Sequence, residues 1–202
     1  MLDIALLFLG VLGALVVHLD AAVASLPEPG HWPTDRRQIV LVDDTGDPVW
    51  HQATRWAVER WNELGADVHL VWSRGSGRCR PEEGTVTVCT VPRRTLARKG
   101  NAGFEGLTEP RISRSPHLRE TTVLVCSDCR LDAGRRKVVV THELGHSLGL
   151  AHSRNLGSVM YHAGGSDRPD AADGRALRAL YDHTDGPDRC GVVNVRLGPL
   201  CL

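Results

Sequence analysis

The spacing of apolar positions changes period several times along the chain. RQIVLVDD (37–44) is a β-branched run and reads as a strand. In the stretch that follows, Trp50, Ala53, Ala57, Trp61 and Leu64 recur at helical spacing. Asp47 can cap that helix, Pro48 suits its first position, and Gly65 stops it. DVHLVW (67–72) reads as a second strand, and GTVTVCTVP (84–92) as a third that Pro92 ends. Residues 93–119 read as loop, with weak strand potential from Leu107 to Ile112. ETTVLVC (120–126) is a further strand. Asp132 then offers an N-cap for a helix that contains the apolar run Val138 to Val140. Strand, helix, several strands and helix again describe an α+β domain.

Length and composition narrow the picture. At 202 residues with 42% hydrophobic content, the chain suits one globular domain with or without a tail. Acidic and basic residues balance at 24 each, so no basic field points to nucleic acid. The N-terminus is a separate object. An apolar run from Ile4 to Val17 precedes small residues at Ala22 to Ala24, as in a cleaved signal peptide covering 1–24. Asp3, without a neighbouring base, departs from that pattern. The alternative is an uncleaved membrane anchor, although the run falls short of the ~20 apolar residues of a full span. A linker is expected over 25–36, a catalytic domain over 37–186 and a disulfide-bearing tail over 187–202.

Six cysteines in an exported chain read as three disulfides. Nearest neighbours give Cys79–Cys89, Cys126–Cys129 and Cys190–Cys201. CSDC (126–129) could instead be half of a zinc knuckle, but no second pair has matching spacing.

The candidate chemistry lies in VVVTHELGHSLGLAHS (138–153). Residues four apart share a helix face, so His142 and His146 can put two imidazoles on one metal. Glu143, about 100° around the helix, is placed to act on a water as general base. On a continuing helix His152 would lie too far up the axis to join them. Gly149 can take the left-handed conformation that ends the helix and lets His152 turn back as third ligand. Imidazole ligands and an open fourth position fit one catalytic Zn2+.

HELGHSLGLAH matches HExxHxxGxxH, and SVMYH (158–162) resembles the Met-turn that follows it in metzincin zinc endopeptidases. Ser153 after the third histidine and Tyr161 after Met160 resemble the matrixin branch, as does DAADGRALRALYDH (170–183) at the last helix. The resemblance implies a zincin fold: a mixed twisted sheet of about five strands, an active-site helix and a C-terminal helix. It also implies a secreted endopeptidase acting on protein or peptide substrates. Tyr161, His162 and Ala163 would line the pocket past the scissile bond, with Val138 at its floor. The His/Asp/Gly-rich segment that binds structural zinc and calcium in matrixins has no counterpart over 93–119, so only the catalytic ion is expected. DRCGVVN (188–194) resembles a cysteine switch but stands at the wrong end of the chain, with Cys201 available as a disulfide partner. A monomer is expected, with membrane contact only if 1–24 is retained. The alternative from another class is a zinc-containing extracellular binding module without turnover.

Overall fold

The computed structural model describes residues 30–101, 103–113 and 117–185. The segment 1–24, the tail 187–202 and with it the Cys190–Cys201 pair lie outside the described residues. The elements in chain order are β1 (Gln38–Asp43), α1 (Pro48–Asn62), β2 (His69–Arg74), β3 (Thr85–Val91), α2 (Arg93–Arg98), β4 (Gly106–Ile112), β5 (Leu118–Cys126), α3 (Ala133–Ser147) and α4 (Ala171–Tyr181). The strands form one mixed sheet in the order β2-β1-β3-β5-β4. All neighbours are parallel except β4, which runs antiparallel to β5 at the edge.

The α1 face follows the apolar spacing. Trp50, Ala53, Ala57 and Trp61 are all buried. They meet Ile39 and Leu41 of β1, Val86 and Val88 of β3, and Val139, Val140 and Leu144 of α3 in one core. The opposite face of the sheet carries a smaller cluster of Cys89, Leu96, Leu124, Cys126 and Cys129. Two disulfides reinforce that side, Cys79–Cys89 and Cys126–Cys129. CSDC is therefore a closed disulfide loop and not half of a knuckle.

Two expectations differ from the structure. Residues 93–119 are not a loop: α2 begins after Pro92, with the Arg93 N–H donating to Asp128 Oδ1 at 2.7 Å. That cap comes from a residue 35 positions away, so no local pattern announces it. Leu107 to Ile112 form a complete edge strand because β5 supplies the ladder. The second difference lies in the expected linker. Trp32 is fully buried and donates its indole N–H to the Ser147 carbonyl at 2.9 Å. Residues 30–36 are thus part of the folded body.

Two carboxylates join the helices to their surroundings. Asp47 accepts the Val49 N–H at 2.8 Å, as an N-cap does, and also the Arg136 guanidinium of α3 at 2.6 Å. Asp173, buried in the first turn of α4, accepts from Ser158 Oγ, the Val159 N–H at 3.1 Å and the Asp170 N–H at 2.9 Å. Asp170 in turn accepts the N–H groups of Ala172 and Asp173, which completes a reciprocal cap.

Asp173→Ala should lower stability by about 2–3 kcal/mol, since it orphans the buried donors of Ser158 and Val159. A fall in the urea midpoint at unchanged slope would show it. Asp47→Ala should cost about 0.5–2 kcal/mol at neutral pH. Burial pushes the Asp47 carboxyl up, but its bonds from Arg136 and Val49 outweigh this and hold it below its ordinary 3.8. Its stabilisation is therefore complete above that value and fades as pH falls through the lower folded-state pKa. Urea melts of both proteins should converge on acidification, and a gap that persists at low pH would contradict this account.

Candidate metal centre

Helix α3 carries His142 and His146 on one face and ends where the third histidine must turn back. Gly149 sits at φ 93°, a left-handed conformation that suits glycine. The Leu150 N–H bonds the Gly145 carbonyl at 3.0 Å and the Gly149 N–H bonds that of His146 at 3.0 Å. This pair of bonds is the Schellman closure of a helix end. The chain then reverses, and the Ser153 N–H meets the Met160 carbonyl at 2.8 Å.

The three histidines converge. Their Nε2 atoms lie 3.1 Å apart for His142 and His146, 3.3 Å for His142 and His152, and 3.1 Å for His146 and His152. His142 Nδ1 faces the Val159 carbonyl at 2.7 Å, and His146 Nδ1 faces that of Leu150 at 2.8 Å. A carbonyl only accepts, so both Nδ1 atoms carry the proton and both neutral rings turn a bare Nε2 lone pair inward. Tetrahedral zinc with Zn–N bonds of about 2.0–2.1 Å spaces its nitrogens about 3.3–3.4 Å apart. Donor type, tautomer and spacing all fit that ion. Burial, aided by the neighbouring His142, pushes His146 down to about 4. Burial also lowers His142, against the pull of its bond to Val159. Burial thus favours the neutral form of both rings.

Met160 packs against α3 at Gly145 and is 2% exposed. A Cβ on Gly145 would stand 2.2 Å from Met160 Sδ and 2.8 Å from the Trp61 ring, so the helix has to be bare there. Trp61 also donates its indole N–H to the Thr141 carbonyl at 2.9 Å, one residue before His142. Ser158 Oγ accepts the Met160 N–H at 2.9 Å and donates to Asp173, which couples this turn to α4.

Glu143 is 7% exposed, between α3 and the edge strand β4. Burial pushes its carboxyl up to about 7, and a hydrogen bond from Thr108 pulls the other way. Thr108 Oγ1 lies 2.6 Å from Glu143 Oε2 and 2.9 Å from its backbone carbonyl. A Cβ on Gly106 would meet Glu143 Cγ and Oε1 at 2.7 Å. Sequence reading missed both Gly106 and Thr108. They belong to a strand whose local pattern is weak, and only the pairing with β5 brings them over α3.

A cleft opens beside the triangle. Val138, Val139, Leu107, Phe104 and Pro110 give it apolar walls, while Arg135, His162, Ala163 and Gly164 lie at its border. Val138, His162 and Ala163, expected in a substrate pocket, are among the residues that line it. Tyr161 is not among the lining residues. Its ring packs on His162, centroids 4.4 Å apart, and a turn closed by Gly164 N–H to Tyr161 O at 2.8 Å leads the chain past it. Arg135 is paired with Glu105 at 2.7 Å.

The matrixin model of the M10 peptidases matches residues 42–182. Among solved structures, the chain is similar to myroilysin at 13% identity, over 76% of this chain and 86% of that one, with TM-score 0.48. It is also similar to archaemetzincin from Methanopyrus kandleri at 16% identity, over 77% of this chain and 98% of that one, with TM-score 0.46. The comparison with curated proteins gave no match. A family match spanning β2 to β5 and both site helices, on a mixed five-stranded sheet, means that the chain belongs to the matrixin family of zinc metallopeptidases.

Proposed function

We propose that the chain is an exported zinc endopeptidase in which His142, His146 and His152 hold the metal and Glu143 is the general base. The observation that carries this reading is the triangle of converging Nε2 atoms with a buried carboxylate next to His142 on the same helix. Zinc held there supplies Lewis acidity, bringing the pKa of water near neutral and polarising a carbonyl. Glu143 accepts the proton of the attacking water and delivers it to the departing amine. Its raised pKa suits both halves of that transfer, since the best shuttle titrates near the working pH. Thr108 holds the carboxylate in place through Oε2.

The edge strand supports a peptide as substrate. β4 pairs with β5 on one side only, and it borders the cleft. An extended peptide can add to such an edge as a further strand, with main-chain hydrogen bonds fixing its register. A side chain just past the scissile bond would enter the space between Val138, Leu107 and Ala163, which favours apolar residues. Two disulfides support an oxidising compartment. Among the described residues no helix is long and apolar enough to cross a membrane.

Zinc-loaded wild-type protein should cleave members of a mixed peptide library. Glu143→Ala should lower kcat/KM by about 10²–10⁴-fold with zinc content unchanged. Absence of cleavage by the zinc-loaded wild type would overturn the peptidase reading. Thr108→Val gives a finer check. Its hydroxyl stabilises the ionised carboxylate, so its loss should raise the Glu143 pKa and move the acid limb of kcat/KM to higher pH. An acid limb that stays in place would remove Thr108 from this role.

A further inference from the structure

A second group of imidazoles meets a carboxylate away from the cleft. His31 Nε2 lies 3.0 Å from Asp185 Oδ1, and His117 Nε2 lies 3.4 Å from the same oxygen. His183 Nε2 approaches it at 3.6 Å. The ligand atoms of His31, His117 and Asp185 all lie within 4.8 Å of one another. The His31 ring stands edge-on to those of His117 and His183, with centroids 5.0 and 4.9 Å away. The catalytic triangle has centroids 4.7 to 5.2 Å apart, so the packing of rings is alike.

Each member is held by its backbone. His31 and His117 form a bridge, with the Leu118 N–H donating to the His31 carbonyl at 2.8 Å. The Asp185 N–H donates to Thr34 Oγ1 at 2.8 Å, and the Thr34 N–H donates to Asp185 Oδ2 at 2.6 Å. That second bond occupies one carboxylate oxygen and leaves Oδ1 to the imidazoles, as an outer partner of a metal ligand does. Arg37 bonds the His183 carbonyl at 3.1 Å and that of Tyr181 at 2.7 Å, which fixes the exit from α4. The three side chains are 15 to 20% exposed, so an ion there would be largely shielded and still reachable.

We propose that His31, His117 and Asp185 form a second zinc site, with His183 the nearest side chain for the fourth position. Imidazole nitrogens and one carboxylate oxygen are zinc donors, and separations of 3.0 and 3.4 Å approach the tetrahedral spacing of about 3.3–3.4 Å. The site is structural: it joins the segment before β1, the start of β5 and the exit from α4. It also revises the expectation of a single ion.

The test is the zinc content of the purified full chain after dialysis against buffered micromolar zinc. Wild type should hold about two ions per chain, given closed sites of three or four ligands. His117→Gln and Asp185→Asn, which keep polar shape at their positions, should each hold about one fewer. The double variant His142→Ala/His146→Ala should keep one ion that His117→Gln then removes. Cobalt loaded into that double variant should give tetrahedral d–d absorption that disappears with His117→Gln. Cooperative thermal unfolding establishes that each variant folds. Folded His117→Gln and Asp185→Asn proteins with wild-type zinc content would overturn the proposal, since a hydrogen-bonded cluster alone needs no ion. If the catalytic triangle were instead the failing site, the His142/His146 double variant would match wild type while His117→Gln lost its zinc, so the two failures are distinguishable.

Discussion

Two neutral imidazoles that aim lone pairs at each other across 3.1 Å repel, and the Nε2 of His152 stands within 3.1 to 3.3 Å of both. Such an arrangement needs both a cation that rewards it and a scaffold that holds the rings while it is bound. Much of the packing around α3 can be read as that scaffold. Backbone carbonyls of Val159 and Leu150 fix two of the rings in tautomer and tilt. The third arrives only because the helix closes at Gly149 and the chain returns along the Met160 turn.

The support extends outward in identifiable steps. Trp61 of α1 and Trp32, before β1, each donate an indole N–H to a carbonyl of α3 or its end. Gly145 lets Met160 and Trp61 approach the helix closely from below. Asp173 then ties the Met160 turn to α4 through Ser158 and Val159. A buried carboxylate with several donors is costly to disturb, because each donor left unpaired keeps its desolvation penalty. The position of α4 and the position of the histidines are thus mechanically coupled.

The sheet contributes differently. Its parallel strands bury β-branched residues against α1 and α3, while antiparallel β4 leaves one edge beside the cleft. The same strand passes so close to Glu143 that residue 106 has no room for a side chain. One element therefore shapes the cleft, shields the carboxylate and offers a ladder to an extended chain. Covering Glu143 on this side accounts for its elevated pKa, since burial disfavours the ionised form.

The sequence by itself determined the local features. The spacing of Trp50, Ala53, Ala57 and Trp61, the caps Asp47 and Asp132, and the pattern from His142 to His152 are one-dimensional signals. Helical periodicity and glycine's freedom translate them directly into structure. Nearest-neighbour pairing of Cys79–Cys89 and Cys126–Cys129 was legible because the partners stand only 10 and 3 positions apart. Only the tertiary structure decided what depends on partners far away in the chain. β4 became a strand through its ladder to β5, α2 took its cap from Asp128, and Trp32 drew an expected linker into the core. Thr108 reached Glu143 across 35 positions, and Asp185 met His31 across 154. Local propensity acts over a few residues, whereas hydrogen bonds and close contacts between distant segments exist only once the chain has folded.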